Sequence, residues 1–148
     1  MTCLDCKKEL SYLDHRNAMD TLGVELCSHH KTRIDKLIRL NNTPVEAIQL
    51  YYSLKDAGVS PMLEWWDGCK SIDIAISRVK LNIEVDTDYQ MMTHEQAMNN
   101  LEEAMHSFQN GFTTIRIPHT LIRHYLSETV SSVLGIIAGL KVNIKKVV

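Results

Sequence analysis

Alternation of apolar and polar residues predicts four short strands in this chain. The first three follow one another too closely for helical crossovers, so we expect an antiparallel meander. The fourth strand follows a helix of crossover length, and this order favours a parallel pairing with the meander. We predict these strands at residues 62–66, 71–77, 80–86 and 112–117.

Apolar positions at helical spacing predict three helices after residue 43. Thr43 has the features of an N-cap, Pro44 suits the first helical position, and Glu46 completes a capping box. This first helix is predicted to end at Gly58. The second helix spans residues 93–110, and its predicted core residues are Ala97, Leu101, Ala104, Met105 and Phe108. The last helix runs from Pro118 to about Gly139, and its predicted core residues are Leu121, Ile122, Tyr125, Val130, Val133, Leu134 and Ile137.

These elements predict a mixed-sheet α/β domain with helices on both faces of the sheet, at residues 41–148, after a small zinc-binding module with a linking helix at residues 1–40. The chain has 148 residues, is 45% hydrophobic and has a formal net charge of -2, which excludes disorder and a uniformly basic surface. No apolar run approaches the about 20 residues that cross a bilayer, and no signal peptide begins the sequence. We therefore expect a cytoplasmic location, with no membrane partner.

Two ligand pairs near the beginning of the chain predict a zinc site. Cys3-x-x-Cys6 and Cys27-x-x-His30 supply four soft ligands in two pairs, although His29 competes with His30 for the fourth position. A knuckle, a hairpin and a ligand pair at a helix start are similar to a treble-clef zinc finger. Unpaired cysteines in a loose tail, or a redox-active pair, are the alternatives.

The segment after the second ligand pair is the most basic part of the sequence. Lys31, Arg33, Lys36 and Arg39 face only one acid, Asp35, over this stretch. The hypothesis that follows is that this helix neutralises nucleic-acid phosphates. A helix face that is simply solvated is the alternative.

Four carboxylates lie where the predicted elements bring them together. Asp73 lies in the second strand, Glu84 and Asp86 share a face of the third, and Glu46 lies on the preceding helix. Acids between Ile and Val residues are costly to bury unless a cation compensates their charge. We therefore predict that these acids hold a hard cation such as Mg²⁺ or Mn²⁺ with oxygen ligands. Helix capping by Glu46 and solvent exposure of the strand acids are the alternatives.

Residues 43–117 resemble the PD-(D/E)xK, or restriction-endonuclease-like, nuclease superfamily, in particular its small branch related to very-short-patch-repair endonucleases. The matching strings are TPVE, IDIAI, LNIEVD and GFTTIRI, in the family's order. The resemblance implies a restriction-endonuclease-like fold and a metal-dependent DNA endonuclease. It also implies that Asp73 and Glu84 bind the metal and that Glu46 or Asp86 assists.

The lysine of this superfamily would stand at position 86, where this chain has Asp86. Lys70 and His94 are the candidates to replace it as a positive or proton-transferring group. The predicted function is hydrolysis of DNA phosphodiester bonds, with the zinc finger aiding nucleic-acid binding, and a homodimer is compatible with it. The alternative is a catalytically degenerate, zinc-containing nuclease fold that binds nucleic acid or protein, for example as an inhibitor in phage-host conflict.

Overall fold

A computed structural model describes residues 1–87 and 93–147 of the chain, excluding the side chains of residues 145–147. Six helices, four strands and one 3₁₀ turn make up this part of the chain. The helices are α1 (Tyr12–Leu22), α2 (Ser28–Asn41), α3 (Val45–Asp56), α4 (His94–Gln109), α5 (His119–His124) and α6 (Leu126–Val147). The strands are β1 (Met62–Trp66), β2 (Ser71–Ile76), β3 (Leu81–Asp86) and β4 (Thr113–Pro118), and the 3₁₀ turn Ser77–Val79 joins β2 to β3.

The four strands form one mixed sheet in the order β1-β2-β3-β4. Strands β1, β2 and β3 pair in antiparallel fashion, whereas β4 pairs in parallel with β3. In the parallel pair, Asn82 lies opposite Thr114 and Glu84 lies opposite Arg116. The predicted meander with a parallel fourth strand is confirmed, as is the α/β class.

The main core lies on the sheet face covered by α3, α5 and α6. Alternate residues of the strands point into it, including Ile74, Ile83 and Ile117. Helices α5 and α6 contribute Ile122, Val133 and Ile137, and α3 contributes Ala47, Leu50 and Leu54. The apolar residues of β3 point into this core. Because side chains alternate along a strand, the polar residues of β3 all point to the opposite face of the sheet, toward α4.

A second core joins the cysteine-bearing segment at the start of the chain to the rest of the structure. It packs residues around Cys3 and Cys27 against Ile48 and Tyr52 of α3. The two ligand pairs are separated by helix α1, so the hairpin that we expected between them is wrong. Sequence periodicity missed α1 because only Ala18 and Leu22 of this helix are buried.

The start of α3 and the end of the chain also differ from the prediction. Pro44 is the N-cap of α3, and the Thr43 hydroxyl donates to Glu64 instead of capping the helix, so the capping box is wrong. The single last helix is two helices, because the backbone of Tyr125 leaves the helical region between α5 and α6. Helix α6 continues past Gly139, which lies in its interior.

Helix α4 exposes the apolar residues that we expected in the core. Leu101, Met105 and Phe108 are exposed, Phe108 by 77%. The side of α4 nearest the sheet carries the buried Ser107 and the partly buried Glu103 and Ala104. The helical prediction for α4 is correct, but its apolar stripe is not packed in a core: Ala97, Leu101 and Ala104 line a cavity between α4 and the sheet, and Met105 and Phe108 are exposed.

On α5 and α6, the expected burial holds only in part. Leu121 and Tyr125 are exposed, whereas Ile122, Val133 and Ile137 are buried. Within residues 1–87 and 93–147, no helix combines the length and the apolar character that a membrane crossing requires.

Candidate functional site

Cys3, Cys6, Cys27 and His30 form a group that can hold a metal ion such as zinc. Their ligand atoms all lie within 4.8 Å of one another. The Cys6 and Cys27 sulfurs are 3.9 Å apart, and the His30 Nδ1 atom lies 3.1 Å from the Cys27 Sγ and 3.8 Å from the Cys3 Sγ. Tetrahedral zinc with its usual bond lengths separates such ligands by about 3.5 to 3.8 Å. The structure therefore selects His30, not His29, as the fourth ligand.

The local backbone explains how this group forms. Cys3 begins a tight knuckle, in which its carbonyl accepts the Lys7 N–H and its N–H donates to the Lys8 carbonyl. Cys27 is the N-cap of α2, which places His30 in the first turn of that helix, facing the knuckle. Each ligand pair is thus fixed by its own local structure, and the second core brings the two pairs together.

A network of polar side chains surrounds the metal-binding group. The Nε2 atom of His30 lies 3.3 Å from an oxygen of Asp5, and the Tyr52 hydroxyl donates to the other oxygen at 2.8 Å. Burial raises the pKa of Asp5, but the Tyr52 hydroxyl and the Lys55 charge outweigh it, and the pKa is below its usual value. An ionised Asp5 holds the His30 ring with Nδ1 free to bind metal, as in many zinc sites.

Asp73 and Glu84 meet where the pairing of β2 with β3 ends. The last residue pair of that ladder is Ile74 with Ile83, and beyond it the Val85 N–H donates to the Asp73 carboxylate at 2.9 Å. Burial raises the pKa of Asp73, and the nearby Glu64 raises it further. Burial, with help from the Asp73 charge, raises the pKa of Glu84 to about 7.

Lys70 lies between two glutamates at the edge of this site. Its Nζ atom is 3.5 Å from the Glu84 Oε1 and 2.7 Å from the Glu103 Oε2 on α4. Burial lowers the pKa of Lys70, but the hydrogen bond to Glu103 and the charge of Glu84 outweigh it, and the pKa is above its usual value. Lys70 therefore stays charged, and it lines a cavity of about 300 Å³ between the sheet and α4.

The other acids predicted for the site have different partners. The Asp86 carboxylate accepts two hydrogen bonds from the Arg116 Nε and one from its Nη2. Glu46 is buried and pairs with the Arg123 Nη2 at 2.6 Å. His94 is exposed at the start of α4, and within the described part of the chain no hydrogen bond joins it to Asp73 or Glu84.

Glu64 is an acid near the site that the sequence did not single out. It lies in β1, and its carboxylate accepts hydrogen bonds from the Thr43 and Ser71 hydroxyls. Its φ of 48° is unusual for a residue that is not glycine. A lone acid between apolar strand residues was the available signal, and its charge acts on Asp73.

Among the described residues, the carboxylates do not form a group of three or more side chains that could hold a metal, and the cysteine and histidine group is the one that does. A cation at Asp73 and Glu84 would therefore have two carboxylate ligands and would complete its shell with other oxygens. Buried acids with raised pKa beside a charged lysine mark a candidate functional site.

The basic residues of α2 divide into paired and exposed ones. The Lys31 ammonium pairs with the Asp35 carboxylate at 2.7 Å. Arg33, Lys36 and Arg39 are exposed. Because these three residues make no ion pair with any side chain that the structure describes, they are the stronger candidates for contact with a polyanion.

No known protein-family model matches this chain, and no curated protein sequence is significantly similar to it.

Proposed function

We propose that this chain is a divalent-metal-dependent nuclease that hydrolyses DNA phosphodiester bonds, with Asp73, Glu84 and Lys70 at its reaction centre. The observation that carries this proposal is the position of Asp73 and Glu84. Both carboxylates lie where a strand ladder ends, and burial raises the pKa of each, with the Asp73 charge adding to the rise at Glu84. Burying two neighbouring acids is costly for folding alone, so a ligand for them is the simpler explanation.

The residues fit a hard cation such as Mg²⁺ or Mn²⁺. Glu84 has one buried oxygen that lacks a hydrogen bond, and Asp73 keeps one oxygen beyond the bond from Val85. Both are carboxylate ligands of the kind that magnesium prefers. When bound, such a cation neutralises charge on a phosphate and makes a water molecule more reactive.

The side chains of the protein would contribute binding and charge. Lys70, held by Glu103, would pair with a non-bridging phosphate oxygen and favour the negative charge that develops there. Hydrolysis joins a water oxygen to phosphorus and gives a proton to the departing sugar oxygen. The metal-binding module, which we propose to hold zinc, would place the exposed cations of α2 against the DNA backbone.

The test is cleavage of plasmid DNA by zinc-loaded protein with Mg²⁺ or Mn²⁺, beside the same reaction without either ion. Asp73→Asn and Glu84→Gln should be folded and DNA-binding but inactive. Glu102→Gln, a change at an exposed glutamate of α4, is the matched control and should keep activity. If both site variants cleave like wild type, the assignment is wrong.

One observation favours a second function, that of a nuclease fold that binds without cleaving. The position of the superfamily's lysine holds Asp86, whose charge is already neutralised by Arg116. In that case the wild-type protein would bind nucleic acid or a protein partner. It would show neither cleavage nor binding of Mg²⁺ or Mn²⁺ at Asp73.

A further inference from the structure

Three buried oxygen atoms in the described part of the chain lack a hydrogen-bond partner. They are the Asn82 Oδ1, the Glu84 Oε1 and the Thr114 Oγ1. Asn82 is 1% exposed and Glu84 is 8% exposed, so both residues are almost entirely covered by protein. A buried polar atom without a partner is destabilising, and most native structures satisfy such atoms. Three of them together therefore point to a common ligand.

The three residues lie together on the sheet face that looks toward α4. Asn82 and Glu84 are two residues apart on β3, and Thr114 lies directly opposite Asn82 on β4. Such positions are separated by about 5 Å across strands and about 7 Å along a strand. Glu84, Thr114 and Ser107 line the cavity of about 300 Å³ under α4, and Ser107 accepts a hydrogen bond from the Asn82 amide.

The chemistry of the three atoms selects a cation. All of them are oxygens: one from a carboxylate, one from an amide and one from a hydroxyl. Hard divalent cations bind this mixture, whereas zinc prefers nitrogen and sulfur. The charged side chains that line the cavity are Glu84, Glu103, Lys70 and Arg116. Arg116 pairs with Asp86, so Glu84 and Glu103 share the single positive charge of Lys70.

We propose that the cavity under α4 is a second cation site, in which Glu84 and Thr114 from its lining, and Asn82 behind the lining residue Ser107, are oxygen ligands of a divalent cation. Glu84 is the one residue shared with the proposed reaction centre, and Asp73 takes no part. The cavity has room for the cation with the water molecules that complete its shell. The inference does not depend on nuclease activity, because Asn82 and Thr114 have no role in that proposal.

Lys70 competes with the cation for Glu84. Its ammonium is 3.5 Å from the Glu84 Oε1, beyond normal hydrogen-bonding distance, and it is held closer to Glu103. Replacing Lys70 with Met should therefore strengthen cation binding in the cavity. The change removes a positive charge and adds no ligand.

The experiment titrates zinc-loaded protein with Mn²⁺ and measures free Mn²⁺ by electron paramagnetic resonance. Thr114→Val removes only the hydroxyl ligand and should weaken one binding event at least about tenfold. Thr113→Val, the same change one residue earlier and outside the cavity, is the matched control and should bind like wild type. Lys70→Met should bind more tightly.

Thermal unfolding separates a ligand role from a purely structural one. Without added divalent cation, Thr114→Val should melt at or above the wild-type temperature, because an unpaired buried hydroxyl is gone. The rise in melting temperature on adding Mg²⁺ should be smaller than in wild type. A hydroxyl with only a structural role would instead give a lower melting temperature without added cation and an unaltered rise on adding Mg²⁺.

Asp73→Asn distinguishes the two proposals. If it removes one Mn²⁺ event and leaves the Thr114-dependent event, both cation sites stand. If the protein never cleaves DNA but the Thr114-dependent event remains, only the nuclease proposal fails. If Thr114→Val binds Mn²⁺ like wild type, or if Asp73→Asn abolishes all Mn²⁺ binding, the second site is refuted.

Discussion

Replacing Glu84 with Gln should make the protein more stable, by an amount that grows with pH. Glu84 is 8% exposed, and burial together with the Asp73 charge raises the pKa of its carboxyl group from the ordinary 4.5 to about 7. The folded protein therefore holds this proton more tightly than the unfolded chain does. Between these two pH values, wild type loses stability as pH rises, because folding must bury an ionised group.

The size of the effect follows from the rise in pKa. One pKa unit corresponds to about 1.4 kcal/mol, so the rise from 4.5 to about 7 is worth at most about 3 kcal/mol. Glutamine also loses the attraction of Glu84 for Lys70, which reduces the gain. The free energy of unfolding of Glu84→Gln should equal that of wild type near pH 4.5 and exceed it by about 2 kcal/mol at pH 8. In melting temperature, this is about 4 to 8 °C for a chain of this size.

The assay is urea unfolding of both proteins at several pH values between 4.5 and 8, with zinc bound and no other divalent cation added. Glu102→Gln is the control, since an exposed glutamate should give a difference near zero at every pH. The reasoning is refuted if the difference in free energy of unfolding between wild type and Glu84→Gln stays constant across this pH range. A constant difference would show that ionised Glu84 costs nothing to bury.

Three further predictions concern other parts of the molecule. Metal analysis should find about one zinc per chain, and Asp5→Asn should lower zinc affinity about 10- to 100-fold in a chelator competition. Replacing Lys31, Arg33 and Lys36 with Ala should reduce the salt dependence of DNA binding by about two counterions rather than three, because Lys31 is already paired. Arg123→Gln should lower the free energy of unfolding by about 1 to 3 kcal/mol, because the buried glutamate that it pairs with loses its partner, while cleavage persists.

The sheet was predictable from sequence because its strands obey a simple rule. Each strand has one face in the core, so residues such as Ile74 and Ile83 alternate with polar ones. Helix α1 was missed because few of its residues are buried, although Ser11 and Gly23 at its ends are a usable signal. Periodicity also failed on α4, since it identifies an apolar stripe but not whether anything covers that stripe.

The candidate site, like the fold, was predictable from the sequence only in part. Placing Asp73 and Glu84 together needed only strand order and alternation, and placing Lys70 beside them needed only the tight turn before β2. The partners of Glu46 and Asp86 could not be foreseen, because Arg123 lies 77 residues from Glu46 and Arg116 lies 30 residues from Asp86. Long-range pairing of this kind depends on how helices dock, which local sequence does not encode.

The link between Asp5 and Tyr52 has a consequence for how a newly made chain folds on the ribosome. All four ligands of the metal-binding group are synthesised before α3, so the ion can bind while the sheet has not yet been made. Tyr52 then arrives from α3 and donates to Asp5, which already faces the histidine ligand. When a metal ion is bound, the module thus offers a preformed docking point for α3, the helix against which the sheet later packs.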